Sequence, residues 1–435
     1  MKYRVELKGL KVSSEVLNGK SCRCREIHTC LFVITFSLIL TGRLSASLIR
    51  IDGGFEDWKD VKVCAHDPGG DAKGAFDITK VYAASQGSVL YLRFDTTNLL
   101  NLQNGPEAEG TLLVVIDLPD NQQLILDTRG RQAFLNDSLK ERIPWDRLKY
   151  IVGPTYAQDE FEIQVDLGRF NINPGDAISI QFGGSDQLIA PVTFTFSQPL
   201  ETPERRSHRR VPGTNVRIVS LNTYFEGLSD PDRQEAMGRL LNSVDGDVYC
   251  FQEEWKTEGH GEILKRLMPL GSKGRWYIHK VYGNVIASKY PLKALPSKSN
   301  TYAAAYISLA ENNLFIINVH LKAMGYIDNE EDRFRIRQAN DIIAVIDEIR
   351  KGQHGKDESP CIVIVGDFNL VGSRTPLDLI IDKKLHGLKD WLTPNLIGES
   401  VVTWRGGSHE SFSPGKPNRG DRIRTYGLLL PKQAL

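Results

Sequence analysis

Between residues 48 and 198 the apolar positions fall in short runs rich in β-branched and aromatic side chains. VYAAS (81–85), VLYLRFDT (89–96), TLLVVIDL (111–118), FEIQVDL (161–167), AISIQF (177–182) and VTFTFS (192–197) are separated by clusters of Gly, Pro, Asn and Asp. Short strands with turn residues between them predict an all-β sandwich. From residue 214 the pattern changes. VRIVSLNTYF (216–225), DVYCFQEEW (247–255), VYGNVIASKYPL (281–292), AAYISLA (304–310), LFIINVHLKA (314–323) and CIVIVGDFNL (361–370) read as strands. Two helical patterns interrupt them: PDRQEAMGRLLNSV (231–244), with Met237, Leu240, Leu241 and Val244 on one face, and EEDRFRIRQANDIIAVIDEI (330–349). Several strands follow one another directly, which predicts a mixed sheet or stacked sheets rather than a doubly wound fold. Ile362-Val363-Ile364-Val365 has no polar alternation, as in a strand buried on both faces, although periodicity alone leaves a buried helix open.

The stretch QPLETPERRSHRRVPG (198–213) carries three prolines and four arginines with no apolar period, and reads as an exposed linker over 199–213. Residues 1–47 read as a signal peptide. Lys2, Arg4, Lys8, Lys11, Lys20, Arg23 and Arg25 precede CLFVITFSLIL (30–40), an apolar run short for a membrane span, and Ser45-Ala46-Ser47 offers a cleavage site. A secreted or periplasmic chain with no integral membrane segment after cleavage is the expectation. The domain plan is then 1–47 signal, 48–198 β-sandwich, 199–213 linker and 214–435 second domain.

Composition adds little beyond size. The 435 residues suffice for two or three domains, and 41% hydrophobic content excludes a disordered chain. Lys plus Arg equals Asp plus Glu at 54 each, so net charge points to neither nucleic acid nor membrane. After signal removal Cys64, Cys250 and Cys361 remain, an odd set without CxxC spacing, which indicates neither a zinc site nor a disulfide framework. Cys250 and Cys361 sit in apolar runs and read as buried thiols.

The candidate chemistry lies at strand ends. Four runs of the second domain deliver polar groups there: Asn222, Glu253, His320, and Asp367 with Asn369. If strand geometry continues, Asp367 and Asn369 share a side. An acid and an amide on one rigid edge suit the handling of water, metal or phosphate.

Taken in order, SLN, FQEE, YGNVIAS, NVHL and GDFN resemble the endonuclease/exonuclease/phosphatase superfamily, the DNase I-like phosphoesterases, over residues 215 to about 419. The resemblance implies an α+β, four-layer α/β/β/α sandwich behind the all-β domain, and a phosphoester substrate, nucleic acid among the options. It implies Mg²⁺ or Mn²⁺ held by Glu253 and supported by Asn222, which would also reach the phosphate. By the same resemblance Asp367 would orient and deprotonate water, Asn369 would hold the water or Asp367, and His320 would contact the scissile phosphate. Asn284 in YGN is a lesser candidate for substrate binding, and Arg337 and Gln338 are lesser candidates still, Arg337 being expected at the surface or in support of residues that touch the substrate. Nucleic acid, phospholipid head group and inositol phosphate remain open, with a lean toward a nuclease or general phosphodiesterase.

IDGGFEDW (51–58) and the strands after it resemble the opening of modules related to family 9 carbohydrate-binding modules, implying either a carbohydrate or cell-surface ligand or a spacer. Trp58 is expected in the core. The far end departs from the superfamily pattern. Its members close with a strand and a Ser-Asp-His motif, whereas this chain passes TWRGG (403–407) and SFSPGKPNRG (411–420), then reads DRIRTYGLLLPKQAL. No Asp-His pair follows Asn369, and Ser408-His409 lacks the Asp. The domain is therefore expected to be incomplete from about Gly420, with a sheet strand missing. Two functions stay open: an exported metal-dependent phosphoesterase, or a binding protein that uses the β-sandwich and carries a degenerate, inactive phosphoesterase domain.

Overall fold

A computed structural model of the chain describes residues 49–196 and 216–381, short internal stretches excepted, together with 389–390 and 426–429. The signal segment, the linker and the 403–420 stretch with Ser408 and His409 lie outside the described residues.

The alternating runs of the first region pair into two sheets. The strands are β1 (Val63–His66), β2 (Ile78–Gln86), β3 (Val89–Leu100), β4 (Leu112–Asp117), β5 (Gln123–Asp127), β6 (Gln132–Leu135), β7 (Ser138–Ile143), β8 (Ile151–Gly153), β9 (Gln158–Asp166), β10 (Ala177–Gly184) and β11 (Val192–Thr195), with a short α1 (Trp145–Leu148). One sheet runs β1-β2-β3-β9-β8 and the other β11-β10-β4-β5-β6-β7. Leu92 and Phe94, Phe161 and Ile163, and Ile180 and Phe182 are two apart on their strands, so each pair turns to the same interior. There Phe94 stacks on Phe161 with ring centroids 5.3 Å apart and meets Phe182 edge-on at 5.5 Å. Trp58 is buried, 1% exposed, and offers no face to a sugar. Its indole N–H donates to Glu162 Oε2 at 2.9 Å, while Gly53 N–H donates to Oε1 at 2.8 Å.

The second region forms β12 (Ile218–Asn222), α2 (Pro231–Val244), β13 (Val248–Gln252), α3 (His260–Leu267), β14 (Tyr277–Val281), β15 (Asn284–Ser288), β16 (Leu292–Ala294), β17 (Tyr302–Ser308), β18 (Asn313–His320), α4 (Glu330–Arg350), β19 (Cys361–Asp367), α5 (Thr375–Ile381), β20 (Lys389–Asp390) and β21 (Tyr426–Leu429). Helix α2 starts where expected because Asp230 accepts from Asp232 N–H at 3.1 Å and Pro231 follows it. The sheets run β12-β13-β15-β14 and β16-β17-β18-β19-β21-β20. Val248, Cys250 and Ile286 of the first meet Ala305, Ile316, Val363 and Val365 of the second. On the outer faces Tyr249 and Phe251 pack with Leu241 and Leu264 of α2 and α3, and Ile362 and Ile364 with Ile342, Ile346 and Leu377 of α4 and α5. This is a four-layer α/β/β/α sandwich, and β19 is buried on both faces as its sequence predicts. Each such aliphatic side chain contributes about 1.5–3 kcal/mol when fully buried.

Three readings need correction. VYGNVIAS is not one strand: Tyr282, at φ 53°, turns the chain between β14 and β15, which pair as a hairpin. The strand expected to be missing is present, since Tyr426–Leu429 pairs antiparallel with β19, Val363 opposite Leu429 and Gly366 opposite Tyr426. It supplies partners for backbone groups that β19 would otherwise leave open. Cys361 is half-buried rather than buried, while Cys250 is fully buried, and burial pushes its thiol up. Among the described residues no helix is long and apolar enough to cross a membrane.

Candidate active site

The polar strand ends meet at one end of the sheet pair. Asn222 and Gln252 end the parallel neighbours β12 and β13 in register, and His320 and Asp367 do the same on β18 and β19. Glu253 is the next residue after β13. Parallel pairing places like ends together within each sheet, and the packing of the two sheets brings Asn222 and Asp367, 145 residues apart, within hydrogen-bond reach.

The glycine of GDFN permits this pairing. Gly366 has φ 141°, and a Cβ there would run into the backbone of Val319, the residue before His320. Only a residue without a side chain lets the two strands approach so closely just before their functional tips.

Asn222 Nδ2 donates to Glu253 Oε1 and to Asp367 Oδ2, 2.9 Å each. Its oxygen accepts from Tyr224 N–H at 2.9 Å, so the amide as placed turns its donors, not its oxygen, toward the carboxylates. Glu253 Oε2 accepts from Phe225 N–H at 2.9 Å, and Oε1 lies 3.9 Å from His320 Nε2. Asp367, 1% exposed, also accepts from Asn369 N–H through Oδ1 at 3.0 Å. Asn369 does not continue the strand. It takes φ 45° and donates from Nδ2 to Leu321 O at 2.9 Å, so it ties its loop to the residue after His320. Glu253, at φ 68°, is likewise left-handed, an uncommon backbone state that concentrates at functional sites.

The lesser candidates separate. Asn284 is buried and donates to Thr301 O at 3.2 Å, the same carbonyl that accepts from His320 N–H at 3.0 Å. Gln338 accepts from Lys322 N–H at 2.8 Å. Arg337 is exposed and lies over the Phe334 ring, 5.2 Å from its centroid.

Other supports are not apparent in the sequence pattern. Glu254, fully buried, accepts from Thr223 Oγ1 at 2.6 Å, Leu228 N–H at 2.8 Å and Ser229 Oγ at 2.8 Å, and lies 3.3 Å from His260 Nε2. It braces the loop whose Phe225 holds Glu253. Asn318, two before His320, donates across the sheet pair to Phe251 O at 2.8 Å and Val285 O at 3.1 Å and accepts from Gln252 Nε2 at 2.6 Å. The doubled Glu of FQEE and the Asn of NVHL were the available signals.

Ligand atoms of Glu253, His320 and Asp367 lie within 4.8 Å of one another. The two carboxylates suit a hard divalent ion, and their mutual repulsion favours a cation there, while the imidazole beside them is a borderline ligand. One other trio of acidic side chains among the described residues, Asp67, Asp71 and Asp186 on loops of the all-β domain, is as close. An aromatic flank borders the site: Tyr224 meets Phe225 at 4.9 Å, Phe225 meets Trp255 at 5.5 Å, and Trp255 lies 6.3 Å from the His320 ring. Phe225 is 53% exposed.

Two mixed sheets packed face to face, flanked by helices and carrying an acid, amide and histidine site at strand ends, define a DNase I-like domain. Residues 219–424 match the model of the Endonuclease/Exonuclease/phosphatase family. Similar solved structures include truncated TDP2 of Caenorhabditis elegans (19% identity, 49% of this chain and 83% of that one, TM-score 0.33). A β-hairpin deletion mutant of Staphylococcus aureus beta toxin is 21% identical over 49% of this chain and 87% of that one, TM-score 0.31. A double mutant of the same toxin with bound magnesium ions is 20% identical over 49% and 84%, TM-score 0.33. No curated protein matches the chain.

Proposed function

We propose that the chain is an exported, divalent-metal-dependent phosphoesterase that hydrolyses phosphodiesters, nucleic acid first among them, by in-line attack of water. The observation that carries this reading is the convergence of Glu253, His320 and Asp367, with Asn222 bonded to both acids. Asp367 is the base. Bonds from the Asn222 amide and from Asn369 N–H aim its carboxylate, and an ionised carboxylate can take the proton of a water. His320, beside Glu253, faces the phosphate and steadies charge that grows on it. Glu253 would hold Mg²⁺ or Mn²⁺, with Asp367 and His320 the other ligand atoms in reach, and Asn222 would align the two acids. Such an ion, when bound, supplies neutralisation of a nonbridging or leaving oxygen.

The aromatic flank favours a planar group next to the phosphate, since bases stack on exposed rings. Export rests on the basic stretch and short apolar run of residues 1–47. The test is hydrolysis of bis(4-nitrophenyl) phosphate and of 4-nitrophenyl phosphate with Mg²⁺ and with EDTA. Metal-dependent cleavage of the diester supports the reading. Cleavage of the monoester alone would overturn its substrate class, and EDTA-resistant cleavage its metal dependence.

A further inference from the structure

The all-β domain bonds to the loops that leave the two catalytic strands. Loop 368–374 follows Asp367, and loop 321–329 follows His320. Three consecutive carbonyls of the first loop accept from the all-β domain. Thr155 Oγ1 donates to Leu370 O at 2.7 Å, Asn101 Nδ2 to Val371 O at 3.0 Å and to Gly372 O at 3.1 Å, and Ala157 N–H to Gly372 O at 2.7 Å. Asn101 Oδ1 accepts from Ile327 N–H at 2.8 Å, in the second loop. One side chain, 3% exposed, thus joins the exits of both strands.

Tyr156 deepens the junction. It belongs to the same hydrophobic cluster as Ile364 of β19 and Leu377 of α5, while its hydroxyl donates to Gly53 O at 3.3 Å. Gly53 of the IDGG stretch therefore has a structural use here. From the opposite side Gly372 lies against Asp332 and Arg335, where a Cβ would collide with both side chains. Asp332 Oδ1 accepts from Ser373 N–H at 2.8 Å, and Arg335 Nη1 donates to Lys322 O at 2.9 Å and Met324 O at 2.6 Å. Loop 370–372 is gripped between the all-β domain and the start of α4.

We infer that the all-β domain is a working part of the phosphoesterase centre, with Asn101 and Thr155 as positioning residues that hold the 370–372 loop and so set Asp367 and Asn369. The inference rests on the phosphoesterase reading above. Its physical basis is that a buried amide with its donors and acceptor engaged by two loops fixes their separation, and leaving those carbonyls unpaired would let the loop shift. A shift of about an ångström at a base that aims water costs on the order of a hundredfold in rate.

The test uses the full chain: wild type, Asn101→Ala, Thr155→Val and Thr155→Ser. Expected is a fall in kcat of about ten- to a hundredfold for Asn101→Ala, with KM and the Mg²⁺ half-saturation point within about twofold of wild type. Thr155→Val should lose kcat in the same way and Thr155→Ser should restore it, because only the hydroxyl is needed. Amide exchange over 368–374 should quicken in Asn101→Ala and Thr155→Val. Unchanged kcat and exchange in the folded variants would overturn the inference, as would a loss not restored by Thr155→Ser. A wild-type chain without turnover would sink the phosphoesterase reading instead, and exchange alone would then decide whether the loop is held.

Discussion

Glu253 and Asp367 accept hydrogen bonds from the same nitrogen, Nδ2 of Asn222, at 2.9 Å each. One amide therefore sets the spacing of two carboxylates that would otherwise repel. Asn222→Asp would put a third carboxylate between them. Turnover at neutral pH should drop about a hundredfold or more, since both acids would be displaced. Steady-state kinetics beside a thermal melt checks this, and a variant as active as wild type would remove the bridge from the account.

Glu253→Gln keeps the shape of the side chain and removes its charge. If Glu253 holds the ion as proposed, the Mg²⁺ concentration for half-maximal activity should rise about tenfold or more, because the substitution removes the proposed hard ligand's charge. Activity titration and calorimetry read the same quantity independently. Coincident Mg²⁺ curves for the two proteins would place the ion elsewhere.

Glu254→Ala would strip four polar groups of a buried acceptor at once, the Thr223 and Ser229 hydroxyls, the Leu228 N–H and His260. Urea unfolding should show a loss of roughly 3 kcal/mol. A loss below about 1 kcal/mol would mean that water replaces the carboxylate and that the loop bearing Phe225 does not depend on it.

Cys250 lies between the two sheets, and its thiol stays neutral because burial pushes it up, whereas Cys64 is exposed. Iodoacetamide at neutral pH should therefore label Cys64 and spare Cys250 until the chain is unfolded. Mass spectrometry of the peptides checks it. Rapid labelling of Cys250 in the folded chain would contradict the face-to-face packing of the sheets.

The strand tips were legible in the sequence because each buried apolar run stops at a polar residue. Asn222, His320 and Asp367 are the last residues of their strands, and Glu253 is one beyond. Asn369 was misplaced because the strand ends at Asp367 and a left-handed turn follows, which alternation does not encode. β5, β6 and β7 were missed because QLILD, QAFL and SLKERI are short and carry weak alternation. Glu254, Asn318 and Asn101 stayed hidden for another reason. Asn318 and Asn101 bond mostly to backbone groups far along the chain, 270 residues away for Asn101 and Val371, and Glu254 to two hydroxyls, an amide and an imidazole from two other segments, so only tertiary closure shows what they hold.

The most direct measurement is turnover of a phosphodiester at saturating Mg²⁺ by wild type and by Asp367→Asn, with Mg²⁺ affinity determined on both. The substitution should lower the wild-type rate about a hundredfold or more, with the fold intact and Mg²⁺ still bound through Glu253. Equal rates from the two proteins would contradict it, because the buried acid at the end of β19 would then have no part in activating water.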